Sequence, residues 1–129
     1  MKKTIISLLV FSIFQLTFSQ KKELKTVDKL LKSADYENAL TTLESINSLI
    51  ETSDDKTKAK YYYLKGLAEY QNGTGSFENK LLSVDDFNKV KEIEESSSKI
   101  YSTKVDDIFV NLFNSFVDDS RTSLENKNF

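Results

Sequence analysis

The chain has 129 residues, with 18 Lys and Arg against 20 Asp and Glu, a formal net charge of −2, and no Pro, Cys, His or Trp. Without Cys or His it cannot assemble the usual zinc, haem or iron–sulfur ligand sets, a disulfide, or a nucleophile activated by an imidazole. Its acidic balance also gives no overall electrostatic footprint for nucleic acid or anionic lipid.

Lys2 and Lys3 open the chain, and Thr4 to Phe18 carry no charge. Thr17 and Ser19 are small residues at the −3 and −1 positions before Gln20. A positive start, an apolar run and a small-residue cleavage site make up a secretory signal peptide. The apolar run is about 15 residues, short of the roughly 20 that span a bilayer as a helix. The expectation is a leader over residues 1–19 that is removed before Gln20, and a single domain over 20–129 with no stable membrane insertion after cleavage. No Cys follows the run, so lipid attachment at a processed N-terminus is excluded. Seventeen of the 18 bases are Lys, with Asn and Ser plentiful, which points to a low-GC bacterial genome. The expected location is therefore the Gram-negative periplasm or the outside of the cell.

Beyond Gln20 the apolar residues recur at three- and four-residue steps, the pattern of amphipathic helices around a common core. Leu24, Val27, Leu30, Leu31 and Ala34 form the first stripe, and Tyr36, Ala39, Leu40, Leu43, Ile46 and Ile50 the second. Phe87, Val90, Ile93 and Ile100 form another, followed by Val105, Ile108, Phe109, Leu112, Phe116 and Val117. No run alternates long enough to be a strand. The spacing predicts five helices, over 21–33, 36–51, 56–72, 84–100 and 103–127. Asn72–Ser83 is the one long irregular connection and holds Gly73 and Gly75. Its Asn72-Gly73-Thr74 tripeptide matches a glycosylation sequon, which in a bacterial chain reads as chance.

Doubled acids recur at Asp54-Asp55, Asp85-Asp86, Asp106-Asp107 and Asp118-Asp119. Neighbouring helical residues diverge by about 100°, so the two carboxylates of a pair do not face one another as an acid–base couple would. The alternate spacing and glycine of a calcium loop are absent. The first three pairs are expected at helix N-termini behind the capping candidates Ser53, Ser83 and Thr103, where negative charge complements the helix dipole. Asp118-Asp119 reads as a solvated helix face. No catalytic, metal-binding or cofactor-binding residue is expected, and the chain does not read as an enzyme.

Ala34-Asp35-Tyr36-Glu37-Asn38-Ala39-Leu40, followed by Leu43 and Ile46, resembles the second helix of a tetratricopeptide repeat. A turn ends in an aromatic, and a small residue three further on admits a neighbouring helix. Tyr62, Gly66, Ala68, Tyr70 and Gly73 resemble the first helix of the next repeat. Leu124-Glu125-Asn126-Lys127-Asn128-Phe129, with Ser120 in the small-residue slot, is similar to a first helix running into its turn aromatic. The chain departs from the pattern at Val27, where a small residue is expected, and at Lys65 and Glu69, whose slots are usually apolar. Asn72–Ser83 also interrupts the roughly 34-residue period.

The resemblance implies an all-α fold in which antiparallel helix pairs stack as a short right-handed α-solenoid; a plain helical bundle is the alternative. It implies packing roles for Tyr36, Ala39, Leu43, Tyr62, Gly66 and Ala68. Gly66 would sit at a tight crossing, which compensates the roughly 0.5–1 kcal/mol that a mid-helix glycine costs. By the same resemblance the first helix of each pair lines a concave face, so Lys60, Tyr63, Leu67, Tyr70 and Gln71 would hold a protein or peptide partner. The function expected is a non-catalytic interaction scaffold of the cell envelope. The alternatives are a self-standing bundle acting as a structural protein or chaperone, and the helical portion of a larger secreted binding protein or enzyme. Phe129 falls where a turn aromatic of a third pair would stand, so the reading also expects an incomplete array, or self-association through the C-terminal helix.

Overall fold

The computed structural model of the chain describes residues 18–72 and 76–127, and within them it is all-α. Most of the expected leader, Gly73, Gly75, the sequon's last two residues and the terminal Phe129 lie outside the described residues. Five helices follow one another: α1 over 18–32, α2 Tyr36–Ile50, α3 Asp55–Gln71, α4 Phe77–Ile93 and α5 Ser102–Lys127. There is no strand among the described residues, and no described helix is long and apolar enough to cross a membrane. Five helices in this order are compatible with a helical repeat.

The α1–α2 corner is built from two overlapping caps. Ala34 takes the left-handed conformation, φ 58°, and its N–H donates to the Leu31 carbonyl at 3.1 Å. Asp35 N–H donates to the Leu30 carbonyl at 2.9 Å, completing a Schellman closure of α1. The Asp35 carboxylate then caps α2 by accepting from the Asn38 N–H at 3.4 Å and its side-chain amide at 2.9 Å. One polar residue thus ends one helix and starts the next, which turns the chain sharply and lays α2 back on α1.

Ala39, Leu43, Ile46 and Ile50 form the buried stripe of α2. With Leu24 and Val27 of α1 and Tyr61, Leu64 and Ala68 of α3 they make a first core cluster. A second cluster of Phe87, Val90, Val105 and Leu112 joins α4 to α5, flanked by Tyr63, Leu67, Tyr70, Phe109 and Phe116. Packing runs α2 on α3, α3 on α4 and α4 on α5, with the α3–α4 contact the most extensive. Tyr61 faces the first cluster, while Tyr62 and Tyr63 pack against both.

α4 is the element that departs from the expected boundaries. It starts at Phe77 behind Ser76, whose hydroxyl accepts the Asn79 N–H at 3.2 Å, and it ends at Ile93 rather than residue 100. The expected cap Ser83 lies mid-helix and fully buried, its hydroxyl donating to the Lys80 carbonyl at 2.7 Å. Asp85-Asp86 is therefore not at a helix start. Residues 94–101 turn back instead of continuing the helix, and the buried Glu94 carboxylate accepts the N–H groups of Tyr101 (3.0 Å) and Ser102 (2.8 Å) at the head of α5. That charge at a helix N-terminus, not Thr103, satisfies the orphan donors. Thr103 donates to the Lys99 carbonyl, and Asp106, a turn further in, pairs with Lys91. Only Asp54-Asp55 sits as expected. Even there Asp54 itself is the cap, accepting the Thr57 N–H at 2.8 Å, while the Ser53 hydroxyl donates to Gln20 Oε1 at 2.7 Å.

Gly66 lies where α3 crosses α4. A Cβ added there would meet the Phe87 ring at 2.6 Å, closer than carbon atoms approach. Phe87 is fully buried, so the glycine allows the two helix axes to close around the ring.

Candidate functional site

A cleft of about 910 Å³ lies between α1 and the start of α3, with Tyr101 in its lining. Each wall follows from its helix register. Lys21 and Lys25 are one turn apart on α1, Lys56 and Lys60 one turn apart on α3, and all four line the cleft. Lys22 adds a fifth ammonium. Leu24, 1% exposed, and the buried Thr57 also line the cleft, and Phe18 is a strongly exposed part of its wall.

Among the described residues Asp54 is the only acid lining the cleft. The Thr57 backbone N–H holds its carboxyl below the usual carboxylate range against the opposing effect of burial, and the charge of Lys21 lowers it further. Lys60 reaches Asp28 at 4.0 Å. Tyr101 packs its ring 5.1 Å from that of Tyr63, and Lys104 stands 5.7 Å from both ring centres. Burial raises the Tyr101 phenol above its ordinary value, with Asp28 and Glu94 adding to the effect, so this wall is a neutral hydroxyl-bearing ring at physiological pH.

The cleft brings together only part of the expected partner-binding set. Lys60 lines it; Tyr63 stands behind Tyr101. Leu67 and Tyr70 pack, half-buried, against the α4–α5 cluster, and Gln71 is exposed at the end of α3. The residues expected to pack are distributed across the fold. Ala39, Leu43 and Ala68 are buried in the first cluster, Gly66 is at the α3–α4 crossing, and Tyr36 is half-buried at the head of α2. The Tyr62 hydroxyl donates to Glu51 at 3.2 Å, and Lys89 lies 4.7 Å from its ring centre. Sequence reasoning passed over Lys21, Lys22, Lys25, Lys56 and Tyr101. The one trace visible in the sequence is the crowding of lysines around Leu24.

Two further features lie away from the cleft. Lys65 Nζ sits 2.8 Å from Asp86 Oδ2 and 3.0 Å from Glu69 Oε1, an ion cluster locked between α3 and α4. Asp86 is 2% and Glu69 8% exposed, and Glu69 Oε2 has no hydrogen-bond partner among the described residues. Burial pushes the Glu69 carboxyl up to about 7, with the Lys65 hydrogen bond opposing and the Asp86 charge reinforcing the shift. Lys65, held by both carboxylates, is raised further above its ordinary value in spite of burial. Lys89, itself exposed, adds a fourth charge at 3.7 Å from Asp86 Oδ1, so one edge of the cluster meets water. The second feature is the outer face of α5, where Val110, Phe113, Val117 and Leu124 are exposed, Phe113 by 68%.

No family model, curated protein or solved structure matches the chain.

Proposed function

We propose that the protein is a non-catalytic interaction scaffold that holds a segment of a peptide or protein partner in the cleft between α1 and α3. The observation that carries this reading is the cleft itself: about 910 Å³, of the size that ligand sites occupy, and walled by side chains on helices with buried backs. Leu24 and Thr57, both buried, tie those walls to the core, so the surface is formed before a partner arrives. In our reading α1–α2 and α3–α4 act as tetratricopeptide-like pairs stacked in a right-handed solenoid, with α5 opening a third pair. The first helix of each pair then faces the cleft.

We further propose that the chain is exported to the bacterial envelope by its N-terminal leader. Removal before Gln20 would take Phe18 from the cleft wall and leave Lys21, Lys22, Leu24 and Lys25 in place. The Gln20 side chain, which donates to the Leu49 carbonyl at 3.1 Å, would keep the new terminus tied to α2. N-terminal mass analysis of the envelope fraction from an expressing Gram-negative host tests this step, and a product still carrying Met1–Ser19 contradicts it.

The scaffold reading is tested by screening a peptide library of mixed charge against the protein and mapping binders by amide chemical shifts. Binders with Kd below about 1 mM should perturb residues 21–25, 56–60 and Tyr101. Binders that all map elsewhere, or none at that threshold, would remove the cleft from the proposal.

A further inference from the structure

Charge in the cleft wall is one-sided. Five of the chain's seventeen lysines surround a single cavity, in a protein whose acids outnumber its bases. Lys21 and Lys25 stand on α1 and Lys56 and Lys60 on α3, so two helices each contribute a pair of ammoniums to the lining. The one acid in the lining among the described residues, Asp54, is held by the first turn of α3 through the Thr57 N–H and hydroxyl, at 2.8 and 3.1 Å. Among the described residues Lys21, Lys22, Lys25 and Lys56 have no carboxylate within ion-pair distance, and Lys60 has only Asp28 at 4.0 Å. Like charges gathered around a partly apolar cavity repel one another, and a ligand bearing the opposite charge on both flanks relieves that repulsion.

The uncharged lining sets the second requirement. The half-buried Tyr101 ring offers aromatic surface beside the lysines, while Leu24, 1% exposed, closes the lining onto the core. A ligand that fits both has carboxylates on its two sides and one large apolar side chain between them. Lysine ammoniums are point charges that accept any carboxylate orientation, without the planar fork of arginine, of which the cleft has none. Lys21, Lys22, Lys25 and Lys56 are exposed and Lys60 is half-buried, so their charges are reachable by a partner's side chains. We infer that the cleft takes an acidic segment of a partner protein, with Asp or Glu on both sides of a Phe, Leu or similar residue. This inference rests on the scaffold reading above and names the chemistry of its partner.

The test uses the chain as recovered from expressing cells and the fluorescein-labelled peptide Glu-Asp-Phe-Asp-Glu, with capped termini. A second peptide, Gln-Asn-Phe-Asn-Gln, removes the charge without touching the protein. The acidic peptide should bind at least roughly tenfold more tightly than the amide peptide, and its affinity should fall steeply between about 50 and 500 mM salt. Lys25→Gln with Lys56→Gln, one change on each wall, should weaken it by at least about tenfold while leaving the circular dichroism spectrum and melting curve unchanged. Equal binding of the two peptides at residues 21–25 and 56–60 would overturn the acidic specificity and leave the scaffold reading standing. Absence of any peptide from the cleft would overturn both. Tighter binding to vesicles of phosphatidylserine, or to a short single-stranded oligonucleotide, than to the acidic peptide would overturn the assignment to a protein partner.

Discussion

The half of the molecule from α1 to α3 and the half from α3 to α5 bury different chemistry. The first closes over aliphatic side chains and one tyrosine, whose hydroxyl donates to Asn47 Oδ1 at 3.0 Å. The second buries fewer apolar residues and has a four-charge cluster at its inner edge, with a carboxylate oxygen left unpaired among the described residues. It also leaves Phe77, Val110 and Phe113 in water. An apolar core gains by close packing alone, whereas a buried ion cluster must recover the hydration it gives up. The first half is thus a finished core that presents a charged cleft outward, and the second is held mainly by the α3–α4 crossing.

The sharpest way to break that contrast is to remove the crossing. Phe87→Ala should destabilise the protein by about 3–5 kcal/mol, because the ring is enclosed by Gly66, Tyr63 and Phe109 and the void cannot collapse. Denaturant melts monitored by circular dichroism give the value, and a loss below about 1 kcal/mol would show the second half to be loosely packed. Approaching the same contact from the other side, Gly66→Leu should cost about 1–3 kcal/mol by overpacking. If that variant melts no lower than the parent, the crossing has slack and α4 is free to shift.

Glu69→Gln sharpens the contrast in the opposite direction. The folded protein binds a proton at Glu69 up to about pH 7, while an unfolded carboxylate releases it near 4.5. Between those values the folded state holds more protons, so this group's contribution to stability falls as pH rises, and the penalty is complete above pH 7. Removing the charge should stabilise the protein at pH 8 by on the order of 2 kcal/mol and flatten the stability profile between about pH 5 and 7 relative to the parent. A variant that tracks the parent at every pH would mean that water reaches Glu69. The smallest effect is expected on the outer face of α5. Phe113→Ser should alter stability by no more than about 0.5 kcal/mol while weakening any concentration-dependent association seen by light scattering. A large loss of stability there would mean that α5 is covered by a partner copy.

The sequence announces the helices best where one face is apolar and the other is not. Leu24 and Val27, the α2 stripe from Ala39 to Ile50, and Val105 and Leu112 all follow that rule, and their helices lie within a few residues of the expected bounds. α4 reverses it: Leu81 and Leu82 are exposed while Lys80, Ser83 and Asp86 are buried. A boundary argued from apolar spacing and from a Ser ahead of two acids therefore slides seven residues along the chain. Lys65 and Glu69 stood out as charges in usually apolar slots, and they mark the buried cluster. Their partner Asp86 lies 21 residues from Lys65 and on another helix, beyond the reach of any local pattern. The cleft was hidden for a similar reason. Lysines on exposed helix faces look alike until two helices bring them to the same cavity.

The sharing of Tyr62 and Tyr63 by both clusters has a kinetic consequence. Since each helix from α2 onward packs chiefly on its chain neighbours, the sequence separation of native contacts is small, and chains of this kind fold within microseconds to milliseconds. Yet neither end can come apart alone without stripping one flank of α3. The protein should therefore refold in a single exponential phase, with α3 and α4 already paired at the rate-limiting barrier and α1 and α5 joining on the downhill side.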